Sequence, residues 1–401
     1  MVRPGSLFSQ LIHEVPRSSF DKCVAKHDGE KHAKGFTCWN QFVAMEFCHL
    51  ERADSLREIC NGLSSCNGKL QHLGIHRDPR RSTLSYANNH RPAELYEDYF
   101  WECVKHFRGK AGGIGHRKTK FRFKNKLLSL DSSVITLCTT LFPWADYRRK
   151  KGGIKLHVLL DHDDYMPRFV SITQGRLHDV KPAQHLDLPP GSIVAMDRGY
   201  NDYDLFGRWT ERGVFFVTRL KSNAQYEVIE EWEVPEGRNV ISDETIRLVG
   251  QTAEKKCPYD LRRIVVWDPV NKKEIVLLTN HLSFGASTIS AIYKDRWEIE
   301  LFFKCLKQNL KIKTFVGTSE NAVRIQIWTA LIALLLLKWL HFMSRAGWSF
   351  SNLASLLRMN LFTYRHLRDW LDDPFGTPPE IPGEEQLNLG LKGLGQNDTR
   401  R

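Results

Sequence analysis

Cysteine motifs, a signal segment and a membrane-length apolar run are all missing from this sequence. The nine cysteines are scattered and odd in number, and none form a C-x-x-C pair, which argues against a disulfide framework and a zinc site. The N-terminal stretch MVRPGSLFSQLIHEVPRSSF has no apolar h-region. The apolar run IWTALIALLLL has eleven residues, so it is too short to span a bilayer and fits a buried helix. We therefore expect a protein of the reducing cytoplasm.

Acidic residues are too few to balance the basic ones. The chain has 58 Lys and Arg against 46 Asp and Glu, a formal net charge of +12, and its sequence pI is about 9.2. This excess favours an anionic partner, either nucleic acid or an anionic membrane, and the lack of a membrane-length run weakens the second. With 42% hydrophobic residues, the 401-residue chain can form a large core and two or three domains.

The N-terminal quarter of the chain is predicted to be helical, because apolar residues recur at helical spacing in CWNQFVAMEFCHLERADSLREICNGL. Three short helices are expected next: one near 66–72, one over 82–89 after a turn at Gly74, and one with Pro92 in its first turn. Short helices around a glycine turn, rich in Arg, Ser, Thr and Asn, are typical of a helix-turn-helix that binds DNA. The alternative is a helical bundle with a solvated basic loop.

No acidic residue occurs between positions 105 and 130, where nine Lys and Arg are found. The glycines of GKAGGIG predict a flexible joint, and phenylalanines are interleaved with the charges. We interpret residues 105–126 as a basic linker that contacts the DNA backbone, with Arg117, Lys118 and Lys120 among the contacts. An ordinary solvated surface is the alternative.

After residue 126 the pattern changes to strands. Strands are expected over 127–138, 154–163, 167–175, 191–200 and 214–220, with a hairpin turn at HDDYM and a short helix over DYDLFGRWTERG. This order predicts an α/β fold, a mixed sheet with helices on its faces. The chain is thus divided into a helical domain (1–104), the linker, an α/β domain (127–345) with a β insertion (222–282), a helical segment (346–373) and a disordered Pro/Gly-rich tail (374–401).

Two aspartates stand in apolar strand contexts: Asp131 interrupts LLSLDSSVITL and Asp197 closes SIVAMD. A carboxylate inside a strand is costly unless it is paired or metal-bound, although a single buried Asp is more often a hydrogen-bonding structural residue. In a three-strand meander the second strand runs antiparallel to the first, which takes the competing Asp161 to the far edge of the sheet. If the fourth strand lies parallel beside the first, Asp197 comes close to Asp131.

A third carboxylate lies on the predicted helix YKDRWEIELFFKCLK. At 100° per residue its polar residues fall within an arc of about 60° that borders the apolar stripe; they are Tyr293, Arg296, Glu300 and Lys307. A border stripe can face a cleft beside the sheet, whereas a solvated face would lie opposite the apolar residues. Carboxylate oxygens suit Mg²⁺, and two such ions can clamp the attacking and leaving oxygens of a phosphodiester.

The spacing Y-x2-R-x3-E-x6-K on this helix resembles the signature of the DDE transposases of insertion sequence family 4. SLDSS and AMDRGY are similar to that family's first and second aspartate motifs, and the resemblance covers about 125–345. It implies an RNase H-like core with a metal-binding catalytic triad, with Mg²⁺ or Mn²⁺ as cofactor. The implied triad is Asp131, Asp197 and Glu300, and the implied contacts to transposon-end DNA are Tyr293, Arg296 and Lys307.

The implied activity is that of a nucleoid-associated DNA transposase. It would bind the terminal repeats of its insertion sequence, cleave them by metal-dependent hydrolysis and join the 3′-OH ends to target double-stranded DNA, as a homodimer in the synaptic complex. Two alternatives remain: an RNase H-like nuclease without strand transfer, and a catalytically silent DNA-binding repressor. The intact triad argues against the repressor.

Weaker candidates surround these motifs. Four basic residues are expected to meet phosphate, with a solvated loop as the alternative: Arg148, Arg149, Lys150 and Lys151. Arg198 and Tyr200 follow the second aspartate in a turn, and they either touch DNA or only shape that turn. Trp297 is expected to pack in the core, with base stacking as the alternative, and His178 is expected to be a structural histidine.

Overall fold

The computed structural model describes residues 5–31, 33–66, 69–110, 120–148, 151–234, 236, 238–310, 312 and 314–376, with only the backbone at 146–148 and 151. Within these ranges the chain forms a ten-stranded mixed sheet with helices on its faces and a helical N-terminal region. The expected mixed α/β class is confirmed. Nearly all of the predicted disordered tail lies outside the described residues.

Helices fill the N-terminal region as predicted. They are α1 (Leu7–Ile12), α2 (Arg17–Lys26), α3 (Cys38–Glu51), α4 (Leu56–Ser65), a 3-10 turn (Leu70–Leu73), α5 (Arg81–His90) and α6 (Ala93–Gly109). Three of them begin at a hydroxyl cap, because the side chains of Ser6, Thr37 and Ser55 each accept the backbone N–H three residues further on. Since α6 continues to Gly109, the first residues of the expected linker are helical.

The strands are β1 (Leu127–Leu137), β2 (Asp146–Arg148), β3 (Lys151–Asp161), β4 (Pro167–Gln174), β5 (Ile193–Met196), β6 (Phe215–Arg219), β7 (Tyr226–Glu231), β8 (Val240–Leu248), β9 (Leu261–Asp268) and β10 (Lys273–Thr279). They lie in the order β2-β3-β1-β5-β6-β10-β9-β8-β7, and β4 pairs with β3. β1 is antiparallel to β3 and parallel to β5, which is parallel to β6. The expected meander and the parallel fourth strand are confirmed, whereas the short β2 has no counterpart in the prediction.

The run of strands predicted over 222–282 is confirmed, but these strands extend the main sheet. β10 pairs antiparallel with β6, and β9, β8 and β7 follow outward from it. The hydrogen-bond ladder is therefore continuous from the first predicted strands to the outermost strand of the insertion.

The remaining helices are α7 (Val180–Ala183), α8 (Tyr203–Glu211), α9 (Gln251–Lys256), α10 (Ala286–Asp295), α11 (Trp297–Asn309), α12 (Glu320–Met343), α13 (Phe350–Asn360) and α14 (Leu367–Asp372). The two faces of the sheet bury different helices. Leu130 and Met196 pack on one face with residues of α8, whereas Leu127 and Ala195 pack on the other face with residues of α10. Alternation along the strands separates these two sets.

α12 is a core helix. It is long and apolar enough to cross a bilayer, but 89% of its most apolar window is buried inside the protein. It packs against α3, α6 and α11, and Nε2 of His49 on α3 lies 2.9 Å from Oγ1 of Thr329 on α12. One hydrophobic cluster joins the N-terminal helices to the C-terminal ones. The expected boundary at residue 104 is therefore not a break in the packing.

The predicted helix near 66–72 is much shorter than expected. Its described part is a four-residue 3-10 turn, followed by Gly74 at φ +73°, a conformation that favours glycine. α5 packs against α4 and α12 and buries Leu84, Ala87 and Asn88. Because one 3-10 turn is too short to act as the first helix of a helix-turn-helix, that motif is not formed by the residues that the structure describes.

Candidate active site

Asp131 and Asp197 occupy neighbouring positions at one edge of the sheet. β1 and β5 are parallel, and their register pairs Leu130 with Met196, so the two aspartates are the next residues along the two strands. Because side chains alternate along a strand, both aspartates belong to the face that packs against α10.

Asp161, the competing aspartate, lies elsewhere in the sheet. It stands at the far end of β3, opposite Leu128 on β1. Its Oδ2 is 2.8 Å from Nζ of Lys126 and 2.6 Å from Nε of Arg168. Its negative charge is thus already balanced by cations, which agrees with the choice of Asp197 for the site.

Arg296 joins two of the three predicted triad carboxylates. α10 and α11 meet at this residue, which keeps helical backbone angles of φ −51° and ψ −26°. Its Nη1 donates to Oδ2 of Asp131 at 2.8 Å, and its Nη2 donates to Oε1 of Glu300 at 2.9 Å. Both hydrogen bonds are charge-assisted. The one to Asp131 is largely buried, whereas the Glu300 side chain is 37% exposed. One guanidinium therefore sets the spacing between the strand carboxylate and the helix carboxylate.

Burial raises the pKa of the Asp131 carboxyl to about 6, although Arg296 opposes the shift. The backbone N–H of Ser132 also favours the ionised form, because it donates to Oδ1 at 2.7 Å. The charges of Asp197 and Glu300 raise the same pKa further. The three carboxylates therefore repel one another, and a divalent cation would relieve that repulsion. Oxygen-only ligands of this kind are those that Mg²⁺ and Mn²⁺ accept.

The three carboxylates do not form a ready-made metal cluster. In the part of the chain that the structure describes, no group of three or more His, Cys, Asp or Glu side chains lies close enough to hold a metal ion. The guanidinium of Arg296 stands between Asp131 and Glu300 and offsets part of their negative charge instead. The donor chemistry fits a divalent cation, provided that Arg296 releases at least one of the two carboxylates.

Tyr293 lies between two arginines. The guanidinium carbons of Arg219 and Arg296 are each 5.6 Å from the centre of its ring. Burial raises the pKa of its phenol, so the hydroxyl keeps its proton and is able to donate a hydrogen bond.

Arg219 belongs to this edge of the sheet, although the sequence motifs do not point to it. The register of β5 with β6 pairs Ala195 with Val217, so two residues further along Arg219 lies beside Asp197. Its Nε is buried and has no hydrogen-bond partner among the described residues. The sequence does contain a signal for Arg219. It is the basic residue at the end of the strand FFVTR, level with the aspartate that follows the neighbouring strand.

Lys307 is anchored on β1. Its Nζ donates to the carbonyl oxygen of Val134 at 2.9 Å, three residues along the strand from Asp131. The structure thus brings the last residue of the helix signature to the strand that carries the first aspartate.

Arg198 and Tyr200 differ in their surroundings. Oδ2 of Asp197 accepts the N–H of Gly199 at 3.1 Å, which closes the turn after β5. Arg198 is exposed on this turn, whereas Tyr200 is buried, with its hydroxyl 3.3 Å from Nδ1 of His157. Tyr200 shapes the turn, and Arg198 remains a candidate DNA contact.

Most of the weaker basic candidates lie outside the described residues. These are Arg117, Lys118, Arg149 and Lys150, together with the side chains of Arg148 and Lys151. Nζ of Lys120 forms an ion pair with Oδ1 of Asp295 at 2.5 Å. Oδ2 of Asp295 lies 2.8 Å from Nδ1 of His162, whose Nε2 is 2.6 Å from Oγ of Ser129. Lys120 is therefore tied to the residue that precedes Arg296.

Two expectations about burial are wrong. Trp297 is 58% exposed, because the buried side of α11 is already occupied by Ile299 and Phe302. His178 is also exposed, so it is not a packed structural histidine.

Asp179, the neighbour of His178, has contacts that reach the carboxylate edge, which we define as the edge of the sheet that carries Asp131 and Asp197. Its Oδ1 accepts a hydrogen bond from Oγ of Ser132 at 2.9 Å and pairs with Nζ of Lys155 at 3.1 Å. The sequence motifs miss Asp179, because an Asp in a loop before a four-residue helix carries no periodic or spacing signal.

Exposed arginines and exposed rings occur just before and along α5. Arg77, Arg80 and Arg81 are exposed there. The rings of Tyr86 and His90 on α5 stack with their centres 4.0 Å apart, and Tyr86 is 65% exposed. Exposed cations suit contact with phosphates, and accessible rings suit contact with bases.

Two family models match the sequence. Residues 122–336 match the family described as "Transposase DDE domain", and residues 4–76 match a domain of unknown function, DUF4372. The first match spans more than half of the chain and includes all three carboxylates.

Three curated proteins are similar to the chain. A protein of Sinorhizobium fredii (strain NBRC 101917 / NGR234) named as a candidate transposase, y4zB, is 34% identical over 264 residues, which are 65% of this chain and 71% of the relative. The probable transposase for insertion sequence element IS5377 of Geobacillus stearothermophilus is 32% identical over 229 residues, 56% of this chain and 60% of the relative. A candidate transposase for insertion sequence element IS4SA of Synechocystis sp. (strain ATCC 27184 / PCC 6803 / Kazusa) is 28% identical over 273 residues, which are 66% of this chain and 73% of the relative.

Proposed function

Since this chain belongs to the family of transposases with a DDE domain, we propose that it cuts the ends of its own insertion sequence and joins them to target DNA. The observation that carries the proposal is the arginine fork between Asp131 and Glu300, at the edge where Asp197 also lies. We place the reaction on an RNase H-like core. The proposed holders of Mg²⁺ or Mn²⁺ are the same three carboxylates.

The proposed reaction replaces one phosphorus–oxygen bond by another in each of two steps. In the first, water attacks the phosphorus at the transposon end, and the bond from phosphorus to the 3′ oxygen breaks, so that the 3′-OH is released. In the second, this 3′ oxygen attacks a phosphorus of the target strand and displaces the target's own 3′ oxygen. When bound, the divalent cation supplies charge stabilisation for the attacking and leaving oxygens.

The side chains around the carboxylates would hold the DNA backbone. If the divalent cation binds one of the two carboxylates that Arg296 holds, the arginine loses that partner. Its guanidinium would then be able to donate to a phosphate. The protonated phenol of Tyr293 would donate to a phosphate oxygen, and Lys307 would place its charge beside the same strand. Each of these contacts fixes the position of the DNA, while the carboxylates serve the chemistry.

Binding of double-stranded DNA at the transposon ends is proposed to involve a second region. The net charge of +12 and the exposed arginines around α5 support contact with the DNA backbone there. A homodimer would hold the two ends together in the synaptic complex.

Paired substitutions on α11 test the proposal. Glu300→Gln keeps the size of the side chain but removes one ligand charge, so cleavage of the element's ends should fall by at least about a hundredfold while end binding in a gel shift is kept. Lys307→Ala removes a phosphate contact, so binding and cleavage should fall together. Glu298→Gln, on the same helix, is the matched control and should behave like the wild type. Cleavage by Glu300→Gln near the wild-type rate would rule out the proposed mechanism.

A second assay separates transposition from the two alternatives. Ends supplied already cut, with a free 3′-OH, should be joined to a supercoiled plasmid by the wild type but not by Glu300→Gln. A nuclease without strand transfer would cut the ends and leave the plasmid unjoined, and a silent repressor would only bind.

A further inference from the structure

We propose that Asp179 is a positioning residue of the carboxylate edge, which holds Asp131 and Asp197 in place and balances the charge of Lys155 without binding the metal itself. The inference rests on the proposed function, because it concerns the same metal site. Its basis is a polar network on the face of the sheet opposite to Arg296 and Glu300.

The first link runs through one residue of β1. Ser132 follows Asp131, so its side chain points to the opposite face of the sheet. Its backbone N–H donates to Oδ1 of Asp131 at 2.7 Å, and its Oγ donates to Oδ1 of Asp179 at 2.9 Å. Asp179 therefore restrains the residue that orients the Asp131 carboxylate.

The second link runs through the turn after β5. A Cβ placed on Gly199 would stand 3.4 Å from Oδ2 of Asp179 and 3.6 Å from Oδ2 of Asp197. The backbone N–H of Gly199 already donates to Oδ2 of Asp197 at 3.1 Å. The two carboxylates therefore both adjoin this glycine, and a shift of Asp179 would reach the turn that carries Asp197.

The third link is electrostatic. The side chain of Lys155 is only 12% exposed, and its Nζ lies 3.1 Å from Oδ1 of Asp179 and donates to the carbonyl of Leu177 at 2.8 Å. His157, whose Nδ1 is 3.9 Å from the same Oδ1, is kept neutral near pH 7, because burial lowers its pKa to about 4. Loss of the Asp179 charge would leave the Lys155 cation unbalanced on β3, the strand beside the one that carries Asp131, and that charge would repel a divalent cation.

The same geometry argues against a role as a metal ligand. Oδ1 of Asp179 is already engaged by Ser132 and Lys155. The residue also approaches β1 from the face of Ser132, whereas Glu300 and Arg296 approach it from the face of Asp131. Asp179 supports the site from behind the sheet.

The test measures Mn²⁺ binding to the full chain without DNA, from the free Mn²⁺ signal in electron paramagnetic resonance. Asp179→Asn keeps an acceptor for Ser132 but removes the charge. It should weaken Mn²⁺ binding by about tenfold or more, which is the effect expected when a residue that supports a metal ligand is changed. Adding Lys155→Met removes the unbalanced cation and should restore the affinity to within about threefold of the wild type. Lys155→Met alone should not weaken binding.

Two controls separate this role from a general loss of structure. Asp187→Asn removes a carboxylate that is 96% exposed and should leave Mn²⁺ binding unchanged. Cleavage by Asp179→Asn should need more Mn²⁺ for half-maximal rate, by the same factor as the loss in binding, and should approach the wild-type rate at saturating Mn²⁺. A purely structural defect would lower the rate at every Mn²⁺ concentration.

Each result decides the matter. The positioning role is wrong if Asp179→Asn binds Mn²⁺ as tightly as the wild type. It is also wrong if affinity is lost and adding Lys155→Met does not restore it, and this second result would indicate that Asp179 is a direct ligand. The proposed function is tested separately by Asp197→Asn, which should abolish Mn²⁺ binding. If Asp197→Asn binds Mn²⁺ as the wild type does, the proposed metal site itself is wrong, and the inference about Asp179 fails with it.

Discussion

Arg296 donates a hydrogen bond of 2.8 Å to Asp131 from a guanidinium that is only 9% exposed. The same guanidinium holds Glu300 through its other nitrogen. In this state the arginine supplies the positive charge that a divalent cation would otherwise bring. The protein itself therefore offsets part of the negative charge of the site, and the stability of the protein should depend on which cation is present.

Arg296→Gln should destabilise the metal-free protein by about 2 kcal/mol, because a buried carboxylate loses its charged partner. Excess Mg²⁺ should recover part of this loss, since its charge replaces that of the arginine. Urea unfolding in EDTA and in Mg²⁺ measures both effects. Arg324→Gln breaks a half-exposed pair with Glu320 and should cost less than about 1 kcal/mol in either solution. Equal losses in the two arginine variants would contradict the role given to Arg296.

The raised pKa of Asp131 predicts a pH dependence of stability. Its carboxyl binds a proton more tightly in the folded state, at a pKa of about 6, than in the unfolded chain, where an aspartate has its ordinary pKa of 3.8. The metal-free protein should therefore lose stability as the pH rises from about 4 to 6, by at most about 3 kcal/mol from this group. Asp131→Asn removes this titrating group, so the stability of the variant should rise relative to that of the wild type as the pH increases over this range. Unfolding in EDTA across this pH range measures the difference in stability between the two proteins. If their stabilities change in parallel with pH, the pKa of Asp131 is not raised in the folded state.

The carboxylate edge could be predicted from the sequence, because strand direction and the alternation of side chains along a strand follow local rules. Asp131 and Asp197 end up side by side because one parallel pairing, Leu130 with Met196, follows from the order of the strands. The helical spacing of Arg296 and Glu300 likewise requires only 3.6 residues per turn. Arg219 and Asp179 could not be found in this way, because their contacts depend on a strand register and on a loop position that no periodic pattern encodes.

The domain boundary at 104 shows a different limit. Helical spacing in the N-terminal region says that one face is buried, but not against which partner. The partner is α12, more than 200 residues later in the chain, as the contact of His49 with Thr329 shows. Glycine and basic residues after α6 predict a joint between separate bodies, whereas the hydrophobic cluster is continuous across it. Packing between distant segments is the information that local patterns lack.

Arg219→Ala should weaken binding of the transposon end, because Arg219 lies level with Asp197, its Nε has no hydrogen-bond partner in the described residues, and its charge would attract a phosphate. Ends carrying one neutral methylphosphonate at successive positions would locate that phosphate. At the contacted position the wild type and Arg219→Ala should bind equally, whereas elsewhere the variant should be weaker by about 1–3 kcal/mol. Arg208→Ala, whose pair with Asp204 lies on the exposed side of α8, is the matched control. A defect in Arg219→Ala that no neutral phosphate removes would show that the residue acts on the fold of the edge.

The basic surface around α5 should carry a measurable part of the salt-dependent DNA affinity. Deletion of the N-terminal region cannot test this, because its helices share the core with α12. Charge removal on the surface avoids that problem: Arg77, Arg80 and Arg81 are exposed, and changing all three to Gln leaves the buried residues of α5 intact.

Each phosphate contact adds about 0.9 to the slope of log K against log salt, so the triple variant should lower the slope by up to about three. The matched control changes Lys255, Lys256 and Lys272 to Gln, which removes the same charge from exposed positions near the insertion strands. Gel shifts over a series of salt concentrations compare the two variants. If binding depends only on net charge, both slopes fall equally. If the α5 surface lies against the DNA backbone, only the arginine variant loses slope, and its affinity falls most at low salt, where counterion release contributes most to binding.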